Sequence, residues 1–167
     1  SDRNGGVGGI ADRKDSLFVF PALTEEFKHC YDMGRVIHLG FCCGKGGPVL
    51  SIFVIYGFSG AAQNRRKAAA TNRILQAIYR ELSLFPGLPH LLLGDFNGDP
   101  PDFLMLTSFT QELGWTDVGN AAATWGQPPN APTCFTEHGH QPTIRDYIWA
   151  DPLALSVITN FRVLTAD

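Results

Sequence analysis

Along the chain the period of the apolar positions changes several times, and each change marks an element. Residues 34–43 (GRVIHLGFCC) and 49–56 (VLSIFVIY) are rich in β-branched and aromatic side chains, with the turn cluster GKGGP between them. They predict an antiparallel hairpin, and the nearly unbroken apolar run of the second predicts a strand buried on both faces. From Asn64 to Phe85 the period lengthens. Leu75, Ile78, Leu82 and Phe85 recur at three and four residues, while Arg65, Arg66, Lys67, Arg73 and Arg80 fall on other faces. This is an amphipathic helix, closed by Pro86-Gly87. Residues 89–94 (PHLLLG) read as a buried strand that runs straight into Asp95-Phe96-Asn97-Gly98-Asp99. Pro100 and Pro101, with Asp99 as cap, then open a second helix that Phe103, Leu106, Phe109 and Leu113 carry to Gly114.

The flanks are thinner. Residues 10–13 and 17–20 each suit a short strand behind the glycine-rich GGVGG at 5–9. Residues 119–132 read as a long loop, 133–135 as a short strand and 137–142 as a polar loop. Ile144–Ala150 and Leu155–Leu164 read as a final pair of strands. No repeat, low-complexity tract or linker interrupts the 167 residues, so one α/β domain spans 1–167.

Composition narrows the class. With 44% hydrophobic and 17% charged residues the chain is too apolar to be disordered. No apolar run reaches the roughly 18 residues of a membrane span. The 18 glycines and 11 prolines imply many tight turns, which suit a mixed α/β chain better than a helical bundle. A net charge of −3 lacks the basic footprint of a tight nucleic-acid binder. Its distribution is uneven, however. Residues 35–85 carry seven basic side chains against one acidic, and residues 86–167 carry two against nine. A basic helix on phosphates with an acidic cation site fits this contrast; so does a solvated helix face with ordinary loop acids. Cys30, Cys42, Cys43 and Cys134 form no CxxC pair, so zinc-ribbon and thioredoxin-type readings fall away. Without a secretory signal or an N-x-[ST] acceptor, free thiols in a reducing intracellular compartment are the expectation. The sequence opens SDRNGG and stops at LTAD just after an apolar run, and so reads as a piece of something longer.

The informative chemistry lies in LLLGDFNGDP, residues 91–100. A buried strand ending in Gly-Asp-x-Asn delivers a carboxylate and an amide to the carboxyl edge of a sheet, where α/β sites form. Asp95 and Asn97, two residues apart, share a face there. One serves as base or metal partner, and the other donates to a substrate oxygen. An Asp/Asn/Gly turn after a strand would use the same letters. Elsewhere the bland readings are preferred. His138 and His140 beside Glu137 sit in a polar loop, and His29, His38 and His90 are isolated and structural. Residues 40–47 (GFCCGKGG) lack the spacing of a phosphate loop. Arg65, Arg66 and Lys67 oppose the helix dipole and read as solvated rather than as phosphate contacts. Trp115, Trp125 and Trp149 read as core or turn packing.

GDFN after an apolar strand resembles the central signature of the endonuclease/exonuclease/phosphatase superfamily, the group of DNase I, exonuclease III and apurinic endonucleases. Ile55-Tyr56-Gly57, closing a hydrophobic strand, is similar to the family's strand with an active-site tyrosine. IRDYIWA at 144–150 resembles its R-[IL]-D-Y-[IF] strand with Arg and Ile transposed, and the closing LTAD resembles the start of its S-D-H signature. The tract GGVGGIADRK and the Gly34-Arg35 pair are closest in flavour to endonuclease domains of non-LTR retrotransposons and their host relatives.

The resemblance implies a two-sheet α/β sandwich flanked by helices, DNase I-like and N-terminally truncated, so that residues 1–167 form a single, partial domain. It implies hydrolysis of a phosphoester with Mg2+ or Mn2+, and nucleic acid, DNA over RNA, as the partner. Residue by residue, Asp95 would align or deprotonate water and Asn97 would donate to a phosphate oxygen. Tyr56 would orient the phosphate or leaving group, and Asp146 would hold the catalytic histidine's ring. Asp167 would stand near the metal. Two departures qualify this. The histidine expected after Asp167 is not in the sequence. No residue supplies the family's N-terminal asparagine and metal-binding glutamate, since Asn4 precedes glycines and Glu25-Glu26 fall after the first strands. The main carboxylate ligand is therefore expected outside this chain, with little or no activity from the chain alone. The alternatives are a non-catalytic remnant or binding module, or an RNA, small-molecule or phosphoinositide phosphoesterase.

Overall fold

Strand pairing sets the frame. The computed structural model describes residues 7–10, 16–42, 44, 46–135 and 141–164. Its strands are β1 (Ser16–Val19), β2 (Val36–Cys42), β3 (Val49–Tyr56), β4 (His90–Asp95), β5 (Thr116–Asp117) and β6 (Asp146–Ala150). They form one six-stranded sheet in the order β1-β2-β3-β4-β6-β5. β2 and β3 make the expected antiparallel hairpin, with Val36 opposite Ile55 and Cys42 opposite Val49. β3 and β4 are the parallel pair, with Tyr56 level with Asp95. A parallel pair needs a long crossover, and the amphipathic helix supplies it.

That helix is α2 (Arg65–Leu82), preceded by α1 (Glu25–Asp32) and followed by α3 (Leu104–Gln111). The three cover one face of the sheet. Ile74, Leu75 and Ile78 of α2 are fully buried, with Phe27 of α1 and Phe109 of α3 in the same core cluster. Burial of each such side chain stabilises the fold by roughly 1.5–3 kcal/mol. Asn64 caps α2 by accepting from the amides of Arg66 (3.0 Å) and Lys67 (3.3 Å). Phe53 and Ile55 of β3 are buried under the helices, while Ile52 and Val54 on the other face are only half-buried. The expectation of burial on both faces of this strand is corrected accordingly. Helices cover one face throughout, whereas the second is packed mainly by a smaller cluster around Val118, Ala150 and Ala154. The expected α/β class is present, but the described residues form one mixed sheet rather than the two sheets of the expected sandwich.

Three elements depart from the sequence reading. The run 155–164 is not a strand: Pro152–Val157 form α4, and residues 158–164 have no regular partner. Asp151 accepts from the Ala154 amide at 2.6 Å, and Pro152 stands at the first helical position. That start signal outweighs the β-branched residues behind it. Helix α1 was not foreseen, although Thr24 followed by two glutamates is a helix-start pattern. Thr24 Oγ1 accepts from the Phe27 amide at 3.3 Å. Glu81 of α2, fully buried, accepts from Leu23 N (2.6 Å), Thr24 N (2.8 Å) and Thr24 Oγ1 (2.6 Å), which locks α1 onto α2. The second predicted helix divides into a tight turn at Pro100–Asp102 and α3 proper.

Two of the histidines read as isolated meet inside the core. His38 Nε2 lies 2.8 Å and His90 Nδ1 2.7 Å from Ser51 Oγ, and His90 Nε2 lies 3.1 Å from the Phe85 carbonyl. The carbonyl requires a proton on His90 Nε2, so His90 Nδ1 accepts from the Ser51 hydroxyl and Ser51 accepts from His38 Nε2–H. His38 is stacked between Phe20 and Phe53, with ring centroids 4.4 and 4.0 Å away, and its Nδ1 has no partner among the described residues. Burial drives its pKa down to about 3, with the neighbouring His90 acting in the same direction. Among the described residues no helix is long and apolar enough to cross a membrane, and Cys30, Cys42 and Cys134 carry no disulfide.

Candidate active site

The site grows from two close approaches of backbone. Gly94 has φ +136°, and a Cβ there would lie 2.1 Å from the Ile55 carbonyl oxygen. A Cβ on Gly57 would lie 2.2 Å from the Phe96 carbonyl oxygen. Only glycine permits either contact, so the glycines of GDFN and IYG are what bring the ends of β3 and β4 together. The Gly57 amide donates to the Asp95 carbonyl at 2.7 Å and seals the junction.

Asp95 is thereby placed at the carboxyl edge of β4. Its Oδ1 accepts from the Asn97 amide at 2.9 Å. Asn97 turns the chain at φ 56°, a left-handed conformation that asparagine tolerates better than most residues. Its Nδ2 donates to the Gly57 carbonyl at 3.3 Å, which also accepts from Arg35 Nη1 at 3.2 Å. A carbonyl partner fixes which end of the amide is nitrogen, and the same side chain also hydrogen-bonds Asp95. Burial is the first cause that raises the Asp95 pKa; Asp146 raises it further, against the Asn97 hydrogen bonds and Arg145. A carboxylate raised in this way is a stronger base than a free one.

Asp146, at the start of β6, is the antiparallel register partner of Asp95. Like charges directly opposite one another disfavour the pairing unless something of opposite sign stands between them. Both residues line an open cleft of about 470 Å³, with Asn97, Thr133, Phe135 and Arg145 among its walls. Tyr56 is level with Asp95 on the same face, under the Arg35 guanidinium 5.1 Å from its ring centre, but stands outside the cleft lining. Asp167, His138 and His140 lie outside the described residues. Glu25 and Glu26 begin α1 and face the groove between α1 and α2, where Glu26 pairs with Arg80. Sequence reasoning missed Thr133 and Arg145. The transposed IRDY order was the available signal for the arginine; a lone threonine gave none.

Among the described residues no three His, Cys, Asp or Glu side chains converge as a metal cluster. The cleft offers Asp95 and Asp146 as carboxylates and Asn97 as a neutral donor. Such a set suits a hard cation held through one or two carboxylates and completed by water and a phosphate, rather than an all-protein cage.

The site is a strand-edge carboxylate pair with an anchored amide, carried on a helix-covered mixed sheet. The sequence profile of the Endonuclease/Exonuclease/phosphatase family matches residues 18–167, and the chain belongs to that family. No curated protein sequence matches it. Among solved structures it is similar to the endonuclease domain of TRAS1, a telomere-specific non-LTR retrotransposon, at 17% identity and a TM-score of 0.59. That match covers 90% of this chain and 62% of the other. Humanized TDP2 of D. rerio is similar at 12% identity and a TM-score of 0.54, over 81% of this chain and 50% of that one. A protein of Enterococcus faecalis follows at 19% identity and 0.51, over 70% and 43%. These likenesses show the fold, and the chain spans roughly half the length of the structures it matches.

Proposed function

We propose that the chain is a divalent-metal-dependent phosphoesterase domain derived from a DNA endonuclease, with weak turnover by itself. The observation that carries this is the Asp95–Asp146 pair, two facing carboxylates at an open cleft whose mutual repulsion a cation would relieve. A bound Mg2+ or Mn2+ would neutralise phosphate charge there, with Asp95, Asp146 and the Asn97 amide as its available donors. Asp95, with its raised pKa, aligns and deprotonates the attacking water. Asn97 would turn the N–H it now gives Asp95 to a non-bridging phosphate oxygen, and Tyr56, at the margin of the cleft, would position the phosphate through its hydroxyl.

A polyanionic substrate is favoured by the start of α2. Gly60 and Gln63 line the cleft, and exposed Arg65, Arg66 and Lys67 follow at once. Three cations in a first turn without an acid oppose the helix dipole, a placement that contact with phosphates would compensate. The test is nicking of supercoiled plasmid at protein excess. Slow nicking that requires Mg2+ and is absent in Asp95→Ala is the expected result. Nicking that ignores chelation, or that survives Asp95→Ala, refutes the assignment. Mg2+-dependent DNA binding without nicking would assign the chain to a binding module of the same fold.

A further inference from the structure

Thr133 and Arg145 have a bonding pattern that the roles above leave unexplained. Thr133 Oγ1 accepts from the Arg145 amide and from the Asp146 amide, each at 3.0 Å. A threonine hydroxyl has two lone pairs and one hydrogen. With both lone pairs engaged, its hydrogen is left as a donor, and Thr133 is a wall of the cleft. Arg145 is fixed from the other side too, since its carbonyl accepts from the Phe96 amide at 2.9 Å. Its guanidinium is the one cationic group among the described residues that line the cleft, and its charge acts on Asp95. It makes no ion pair with Asp95 or Asp146 among the described residues, so its donors are not consumed by the carboxylates.

A phosphoester in this cleft faces the charges of Asp95 and Asp146. Repulsion between them would be severe without a fixed cation, and the order Ile144-Arg145-Asp146 puts one beside the carboxylate. We propose that Thr133 and Arg145 form a phosphate subsite of the cleft. The threonine O–H and the guanidinium N–H groups donate to oxygens of a substrate phosphate and hold it without help from a metal. Arginine suits this task because its planar fork matches two phosphate oxygens at once. The subsite rests on the phosphoesterase reading for its substrate class, but phosphate capture is measurable apart from hydrolysis.

The experiment is a 31P NMR titration of inorganic phosphate with the full chain in excess EDTA. Saturable binding is expected, weakened about tenfold or more in Arg145→Gln and in Thr133→Val, since charge-assisted and neutral donors are both lost. Thr133→Ser should keep native affinity. Because Thr133→Val also strips two strand amides of their acceptor, Arg145→Gln and Thr133→Ser carry the test if that variant does not fold. No saturable binding, or equal affinity in native and Arg145→Gln chains, overturns the proposal. The two readings separate cleanly. Arg145-dependent phosphate binding in a chain that nicks no DNA keeps the subsite and removes the hydrolase. Asp95-dependent nicking with Arg145-independent phosphate binding does the reverse.

Discussion

Acidification should destabilise this fold through a residue far from the candidate site. His38 is enclosed by Phe20, Phe53 and Phe85, and donates through Nε2 to Ser51. Its folded pKa is about 3, whereas an unfolded chain gives its imidazole a value of roughly 6.5. Above pH 6.5 both states are neutral and stability is fully present. As pH falls from 6.5 toward 3 the unfolded chain takes up a proton that folded His38 refuses. Stability then drops by about 1.4 kcal/mol per pH unit, which amounts to about 2 kcal/mol between pH 7 and pH 5. His90 is also lowered, mainly by burial, and acts in the same direction. Asp95 and Asp117 are raised by burial, so they bind protons more readily when folded and act in the opposite direction.

A variant comparison isolates the histidine from these other groups. His38→Phe keeps an aromatic ring in the stack and removes the titrating nitrogen, while Ser51 retains His90 as its acceptor. Urea unfolding followed by circular dichroism at pH 7 and pH 5 gives the two stabilities for each protein. The native chain should lose about 2 kcal/mol more than the variant over that interval. Equal losses in both proteins, or an NMR titration of folded His38 with a midpoint near its ordinary value, would refute the reasoning.

The remaining predictions concern the helix lock, the strand junction and the carboxylate pair. Glu81→Ala strands three donors at Leu23 and Thr24, and should cost about 3–5 kcal/mol, seen as a lower Tm in thermal unfolding. Gly94→Ala drives a Cβ to 2.1 Å from the Ile55 carbonyl. It should cost about 3 kcal/mol or more in urea unfolding; a loss below about 1 kcal/mol would mean that the strands part easily. Asp146→Asn removes a charge that raises the Asp95 pKa, so carboxyl NMR should show Asp95 titrating at lower pH than in the native chain. An unmoved Asp95 would dissociate the pair.

The hairpin and the crossover helix were legible because each is long and sharply patterned, and the GDFN strand because a short apolar run ends there in a marked motif. Asp95 and Tyr56 stand level at that edge, whereas Asn97 reaches it through a left-handed turn and not along an extended strand as the sequence reading had it. What escaped the sequence depends on partners distant in the chain. Helix α1 owes its anchorage to Glu81, which lies fifty-seven residues beyond Thr24 and looks like any helix acid until it is buried. The run 155–164 has strand composition but pairs with no strand among the described residues, and Asp151-Pro152 captures its beginning for a helix. His38 and His90 looked isolated because β2 and β4 meet only through β3, which contributes Ser51 between them. Thr133 emerged only from where two amides of β6 and its approach point.

The conflicts between local preference and fold are concentrated around the cleft. Gly94 interrupts a buried strand where a side chain would otherwise pack, and Asn97 occupies a conformation that costs most residues. Asp95 and Asp146 are paired against Coulomb's law, and three cations crowd the wrong end of α2. Asn130, also at φ 56°, lines a smaller cavity that shares Thr133 and Asp146 with the cleft. Away from this edge most local requirements are met, with Thr24, Asn64 and Asp151 capping α1, α2 and α4 and Glu81 satisfied; the buried His38 is the exception. A folding sequence tolerates such exceptions where another requirement compensates for them. Here each exception either brings donors and carboxylates to one opening or supplies positive charge beside it. An anionic phosphate with a divalent cation would resolve the electrostatic conflicts together, whereas a purely structural role for GDFN would leave the facing carboxylates and the basic helix start without a cause.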